Sequence, residues 1–214
     1  MSVEAEPLLS KEELEKKFKE EKVKVDNILK EAKYEEALKG YNDLIKSIEK
    51  GIKQNKSLKK EDRDKIIKEY LVPCYSNICY IHIKQNDWNS VLEKANLILK
   101  IDKNNSKALY RKCFAEINLA EYDQAQDTLF KLNDLIGPTS ELRSLKKTLE
   151  EKRTRDKFQE MKKYKKMMNY YHKMNEEKEY QEMSKIGKFF HGCNLICKKI
   201  FCCCNKRKTI KKTY

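Results

Sequence analysis

Glycine and proline are scarce in this chain of 214 residues, which contains 5 Gly and 3 Pro. Most tight turns of sheet proteins are built from these residues, so their scarcity argues against an all-β fold. By contrast, 38% of the residues are charged and 39% are hydrophobic. This balance is typical of long solvated helices. The length suffices for one ordinary domain with a real core.

The chain also lacks a long apolar run, because no stretch of about 18 uncharged apolar residues occurs, and we expect no membrane-spanning helix. Its first residues, Met-Ser-Val-Glu-Ala-Glu, are acidic and resemble neither a signal peptide nor the Met-Gly start of a myristoylation site. Cys74, Cys79 and Cys113 fall within helical patterns and are expected to be reduced core residues. We therefore expect a cytoplasmic protein.

Acidic residues are absent from residues 185–214, which contain nine Lys and Arg. This tail thus supplies +9 of the net charge of +14 and should attract an anionic partner. Five of the 8 cysteines lie there among large apolar residues, at Cys193, Cys197, Cys202, Cys203 and Cys204. The pattern is typical of reversible S-acylation. We expect a flexible tail that holds the protein peripherally on the cytosolic face of a membrane, on an anionic surface.

Two other interpretations of the tail concern metals and nucleic acids. His191 with Cys193, Cys197 and the triplet 202–204 could supply zinc ligands, but no Cys-x-x-Cys pair is present. Adjacent cysteines cannot easily chelate one tetrahedral ion, so neither a metal nor another cofactor is expected. The tail is basic and contains Phe, yet no nucleic-acid fold accompanies it, so no nucleic acid is expected. An unmodified exposed tail remains an alternative.

One short pattern occurs three times along the chain, at residues 32–38, 86–92 and 120–126. Its aromatic positions are Tyr34, Trp88 and Tyr122. The second spacing is 34 residues, the period of tetratricopeptide (TPR) repeats. The first is 54 residues, and the excess of 20 coincides with a Lys-rich insertion near 50–64, which predicts a lengthened helix and loop. The pattern resembles a three-repeat TPR domain.

The resemblance implies an all-α fold, a three-repeat TPR superhelix of antiparallel helix pairs. The repeats would cover residues 18–137, after an N-terminal extension at 1–17, and lie at about 18–51, 72–105 and 106–138. Pro73 and Pro138 fall where one helix should end and the next should start, and Pro73 is suited to a first helical turn.

Residues 139–184 contain neither Gly nor Pro, and their sequence predicts one long basic helix. Its first half should cover the exposed apolar face of the last repeat, with Leu142, Leu145 and Leu149 turned inward. We expect the second half to be solvated.

The concave positions of the repeats resemble those of the carboxylate-clamp subclass, which binds the Glu-Glu-Val-Asp terminus of cytosolic heat-shock chaperones. That subclass carries Lys and Asn in the first repeat, Asn in the second, and Lys and Arg in the third. Here the positions hold Lys22, Asp26, Asn77, Lys107 and Arg111, so four of five match. A terminal Asp presents two carboxylates, for which fixed cations and amide donors are suited. The resemblance implies the acidic C-terminal peptide of heat-shock protein 90 or 70 as partner.

Asp26 is the departure from the clamp pattern, because an ionised Asp cannot donate a hydrogen bond. At about 4 Å and an effective dielectric constant near 20, it would repel a ligand carboxylate by roughly a few kcal/mol before screening. Lys22 lies one helical turn away and could neutralise it. A ligand with a different terminal group is the alternative.

Residues 163–168, Lys-Tyr-Lys-Lys-Met-Met, resemble the end of the repeat domain in FKBP-type and cyclophilin-type immunophilin co-chaperones. We expect no isomerase domain, because only 17 residues precede the repeats. The basic helix, at residues 152–175, also predicts a calmodulin target. The alternative to a calmodulin target is an ordinary capping helix. A further alternative is a scaffold that binds another acidic peptide or a partner helix.

No catalytic group of residues is evident in the sequence. The three histidines, His82, His172 and His191, lack a neighbouring acid and nucleophile in a catalytic pattern. We therefore expect a binding adaptor and no enzyme activity.

Overall fold

A computed structural model describes residues 10–190 of the chain, with side chains described as far as Ser184. These residues form helices without any strand, which confirms the all-α fold class. The helices are α1 (Lys11–Lys30), α2 (Tyr34–Gln54), α3 (Lys60–Ile66), α4 (Val72–Lys84), α5 (Trp88–Ile101), α6 (Ser106–Asn118), α7 (Tyr122–Ile136) and α8 (Ser140–Phe190), with a π-helical segment at Ile67–Leu71.

The chain divides into two compact units, Met1–Thr154 and Arg155–Tyr214. In the first, α1 packs against α2, α4 against α5 and α6 against α7, so that successive helices form three pairs. The second unit contains the remainder of α8, from Arg155 to Phe190.

The same turn joins the two helices of every pair. Its last residue is the repeated aromatic, which begins the second helix at Tyr34, Trp88 and Tyr122. Two positions earlier the backbone adopts a positive φ of 58°, 58° and 62°, at Ala32, Asn86 and Ala120. Only Asn among these residues favours that left-handed region, so the two alanines accept a local strain. The repeat therefore fixes a backbone conformation as well as an apolar pattern.

Small residues allow the paired helices to approach closely. Ala37, Ala115 and Ala125 are each 0% exposed, as a repeat crossing requires. Gly40 on α2 serves the same purpose, because an added Cβ there would lie 2.9 Å from a methyl carbon of Val25 on α1.

The insertion between the first and second pairs is mostly helical. α2 continues to Gln54, and α3 begins at Lys60 after a short turn. The π-helical segment Ile67–Leu71 then joins α3 to α4 without a break. Pro73 lies in the first turn of α4, as the sequence indicates, but the residues before it are helical as well.

The start of α8 caps the third pair. Leu142, Leu145 and Leu149 are 3–4% exposed and belong to the same apolar cluster as Leu129 and Leu132 of α7. The hydroxyl of Thr139 accepts a hydrogen bond of 3.2 Å from the backbone N–H of Leu142. The predicted capping role is thereby confirmed. From Lys157 to Ser184 every side chain is exposed.

The three cysteines of the repeat body are buried and unpaired. Burial raises the pKa of Cys74 and of Cys113 to about 12, and that of Cys79 to about 11. The thiolate is the reactive form, so these residues act as small core side chains.

Candidate functional site

A cleft of about 490 Å³ lies between α1, α4 and the start of α6. Three of the five predicted clamp residues line it, namely Lys22 on α1, Asn77 on α4 and Lys107 on α6. The other lining residues come from the start of α4 and from the turn before α6: Val72, Pro73, Ser76, Asp102, Asn104, Asn105 and Ser106. The structure therefore brings together residues that lie as much as 85 positions apart in the chain.

The turn before α6 fixes the position of Lys107. The side-chain oxygen of Asn105 accepts a hydrogen bond of 3.0 Å from the backbone N–H of Ala108, which caps the helix. The amide of Asn105 donates at 3.3 Å to Oδ2 of Asp102. Lys107 is exposed and makes no ion pair with any of the described residues. An available cation thus stands beside the positive end of a helix dipole, a setting that favours an anion.

Asp26 does not line the cleft but is bound to two residues that do, Lys22 and Asn77. It forms an ion pair with Lys22, and its Oδ1 accepts hydrogen bonds from the Tyr41 hydroxyl at 2.5 Å and the Asn77 amide at 3.1 Å. The same amide nitrogen of Asn77 lies 2.9 Å from the Tyr41 oxygen. Lys22 and Asn77 therefore face the cleft while both are bound to one carboxylate.

Tyr41 is the member of this group that the sequence did not reveal. Its side chain is 0% exposed, and burial, followed by the hydrogen bond to Asp26, raises the pKa of its hydroxyl. The phenol therefore stays protonated and donates to Asp26. On α2 the residue occupies a core position, and nothing in the sequence distinguishes it from an ordinary core aromatic.

Arg111 does not line the cleft but is bound to Ser76, which does. Its side chain is 9% exposed, and Nη1 donates to the carbonyl oxygen of Ser76 at 2.5 Å and to the Ser76 hydroxyl. Burial lowers the pKa of the guanidinium. Neither Arg111 nor Asp26 is among the residues that line the cleft. In this structure Arg111 joins α6 to α4, which the spacing of the clamp residues did not indicate.

Groups of three or more potential metal ligands are absent from the described part of the chain. The five predicted acylation sites, from Cys193 to Cys204, and His191 lie outside the described residues. None of the helices described here combines the length and apolar character needed to cross a membrane.

Three pairs of helices, each with an aromatic at the start of its second helix, define a protein of the TPR fold class. Solved structures establish this fold. The C-terminal TPR-containing domain of a protein named as an FK506-binding protein of Plasmodium falciparum matches with a TM-score of 0.57 at 21% identity, over 72% of this chain and 97% of that one. A multi-domain immunophilin from Arabidopsis thaliana matches with a TM-score of 0.51 at 24% identity, over 62% of this chain and 51% of that one.

The sequence is also similar to curated immunophilins. Peptidyl-prolyl cis-trans isomerase FKBP4 of Rattus norvegicus is 27% identical over 124 residues, which is 54% of this chain and 26% of that protein. The chain spans about a quarter or less of the length of the curated relatives that it matches. No family model matches the chain. The likeness to the repeat domains of immunophilins, predicted from the sequence, is confirmed at the level of the fold.

Proposed function

We propose that this chain is a protein-binding adaptor whose cleft takes the acidic C-terminal peptide of a heat-shock chaperone. One observation carries the proposal: Lys22, Asn77 and Lys107, which come from three helices, line a single cleft. A carboxylate bound there would meet one free ammonium, one ion-paired ammonium and the start of a helix. Charge-assisted hydrogen bonds of this kind are the strong ones in protein recognition.

The fold supports a role in protein recognition. Stacked helix pairs form extended surfaces that serve for binding other chains. The repeat body is similar to repeat-containing FK506-binding proteins and immunophilins. A scaffold that binds a different acidic peptide would use the same cleft chemistry. The two functions differ in which peptide the cleft binds.

The α-carboxylate of the peptide is expected to be essential for binding. We predict that a Glu-Glu-Val-Asp peptide with a free C-terminus binds the full-length protein roughly tenfold or more tightly than its C-terminal amide, since one charge-assisted contact is worth about 1.5–3 kcal/mol. Isothermal titration calorimetry of both peptides tests this. Equal affinity for acid and amide would refute a carboxylate-binding cleft, and a peptide with the same composition in scrambled order is the control.

We also propose that the Cys-rich basic tail attaches the adaptor to the cytosolic face of a membrane. The support is compositional: five cysteines, several large apolar residues and nine cations occur together in residues 185–214 without an acid. Charge alone would give binding that decays within a Debye length of about 8 Å at physiological salt. Acyl chains would add salt-resistant anchoring, at roughly 0.8 kcal/mol per buried CH₂.

Replacement of all five tail cysteines by Ser is expected to convert a membrane-bound protein into a largely soluble one. Wild-type protein made in eukaryotic cells should pellet with membranes in high salt and be released by hydroxylamine, which cleaves thioesters. The Ser variant should still bind its peptide, which controls for the fold. Persistence of the variant on membranes in high salt argues against acylation, and a soluble wild type with stoichiometric zinc supports the metal site instead.

A further inference from the structure

The cleft has two unlike walls. On the α6 side, Lys107 is exposed and has no ion-pair partner among the described residues. On the α1 side, the ammonium of Lys22 is already paired with Asp26, at side-chain exposures of 25% and 27%. Positive charge is therefore available to a ligand on one wall and compensated on the other.

On the α1 side, the hydrogen-bond donors of Asn77 and Tyr41 are also used within the protein. A side-chain amide has two N–H donors. The amide nitrogen of Asn77 lies within hydrogen-bond distance of Oδ1 of Asp26 and of the Tyr41 oxygen. Tyr41 gives its single hydroxyl proton to the same Asp26 oxygen. The donors of Asn77 and Tyr41 are thus used within the protein, and Lys22, which still has N–H groups for a ligand, has its positive charge compensated by Asp26.

A C-terminal Asp carries two carboxylates, on the backbone and on the side chain. If one is bound at Lys107, the other must lie against Lys22 and Asn77, where Asp26 is a fixed like charge. A terminal carboxamide side chain would fit there without repulsion, because its oxygen can accept from Lys22 while its N–H groups can donate toward Asp26. The α1 wall consequently gains nothing from a second negative charge.

We propose that the cleft is a one-carboxylate clamp, in which Asp26 determines specificity by cancelling the preference for a charged last side chain. The proposal rests on the proposed function, since it concerns the same cleft. Its partners are acidic peptides that end in a free α-carboxylate and whose last side chain is either neutral or acidic. The chaperone terminus would bind through one of its two carboxylates.

The test compares two peptides on the full-length wild type, Glu-Glu-Val-Asp and Glu-Glu-Val-Asn, both with free C-termini. We expect their dissociation constants to agree within about threefold, because no cation is free for the extra charge. The variant Asp26→Asn keeps the shape of the side chain and frees Lys22. It should favour the Asp-terminated peptide by roughly tenfold or more, chiefly by tightening that peptide.

Asp62→Asn provides a matched control. Asp62 pairs with Lys11 at 2.5 Å, with exposures of 29% and 31% that resemble those of the cleft pair. Lys11 lies eleven residues before Lys22 on α1, about 16 Å along the helix axis. Loss of this pair should leave the ratio of the two peptide affinities unchanged.

Two results would overturn the inference. One is a wild type that already prefers the Asp-terminated peptide by more than about tenfold. The other is an Asp26→Asn variant with the wild-type ratio. In either case the proposed function stands if both proteins still prefer the acid to the C-terminal amide. If neither protein distinguishes acid from amide, the proposed function and the inference both fail.

Discussion

Replacing Lys107 by Glu is expected to weaken the binding of an acidic C-terminal peptide by roughly thirtyfold or more, or at least about 2 kcal/mol. The change removes the one cleft cation that has no ion-pair partner within residues 10–190 and puts a like charge in its place. Because Lys107 is exposed, the free energy of unfolding should change by no more than about 0.5 kcal/mol. Calorimetric titration and urea unfolding measure the two effects separately.

Lys103→Glu is the matched control for that variant. Lys103 is also exposed and lies four positions earlier, but it does not line the cleft. Both variants alter the net charge equally, so general electrostatic attraction falls by the same amount in each. Equal losses of affinity would show that the peptide responds to overall charge, which would contradict a site at Lys107. Arg111 is less suitable for this test because its guanidinium is buried against Ser76.

Phe18→Ala is expected to reduce the free energy of unfolding by about 3–5 kcal/mol. The Phe18 ring on α1 is 0% exposed and meets the ring of Tyr70 edge to face, with centroids 5.9 Å apart. An added Cβ at Gly51 would lie 3.0 Å from the same ring, so α2 contacts it closely as well. Truncation leaves a cavity where α1, α2 and the helical insertion meet. Urea unfolding followed by far-UV circular dichroism measures the loss.

Phe130→Ala makes the same chemical change on the surface of the same unit. Its side chain is 74% exposed on α7, so the free energy of unfolding should shift by no more than about 0.5 kcal/mol. If Phe18→Ala changed the free energy of unfolding as little as Phe130→Ala, α1 would not be part of the core.

The repeat pattern was sufficient to predict the fold because it specifies turns as well as apolar positions. The aromatics Tyr34, Trp88 and Tyr122 each begin a helix, and the same positive φ occurs two residues before each of them. The long capping helix followed from the absence of Gly and Pro in residues 139–184. The insertion was less predictable, because a charged Lys-rich stretch is compatible with a loop and with a solvated helix.

The sequence predicted which side chains face the cleft better than what those side chains contact. Helical spacing places Lys22 and Asp26 one turn apart, and their ion pair is the expected result. The hydrogen bond from Tyr41 to Asp26 depends on the distance between α1 and α2, and the contact of Arg111 with Ser76 on that between α6 and α4. Spacing along one helix contains no information on such distances. The predicted calmodulin target at 152–175 and the acylated tail stay predictions.

The π-helical segment Ile67–Leu71 fixes the rotation of α4 about its axis relative to α3. Its wider turn is closed by a hydrogen bond from the N–H of Val72 to the carbonyl of Ile67, five residues back. An uninterrupted α-helix advances about 100° per residue, so gaining or losing one residue before α4 would rotate Asn77 away from Lys22 by that angle. A loop would absorb such a change. In this protein, therefore, insertions and deletions between Lys60 and Leu71 are coupled to the geometry of a cleft that these residues do not line.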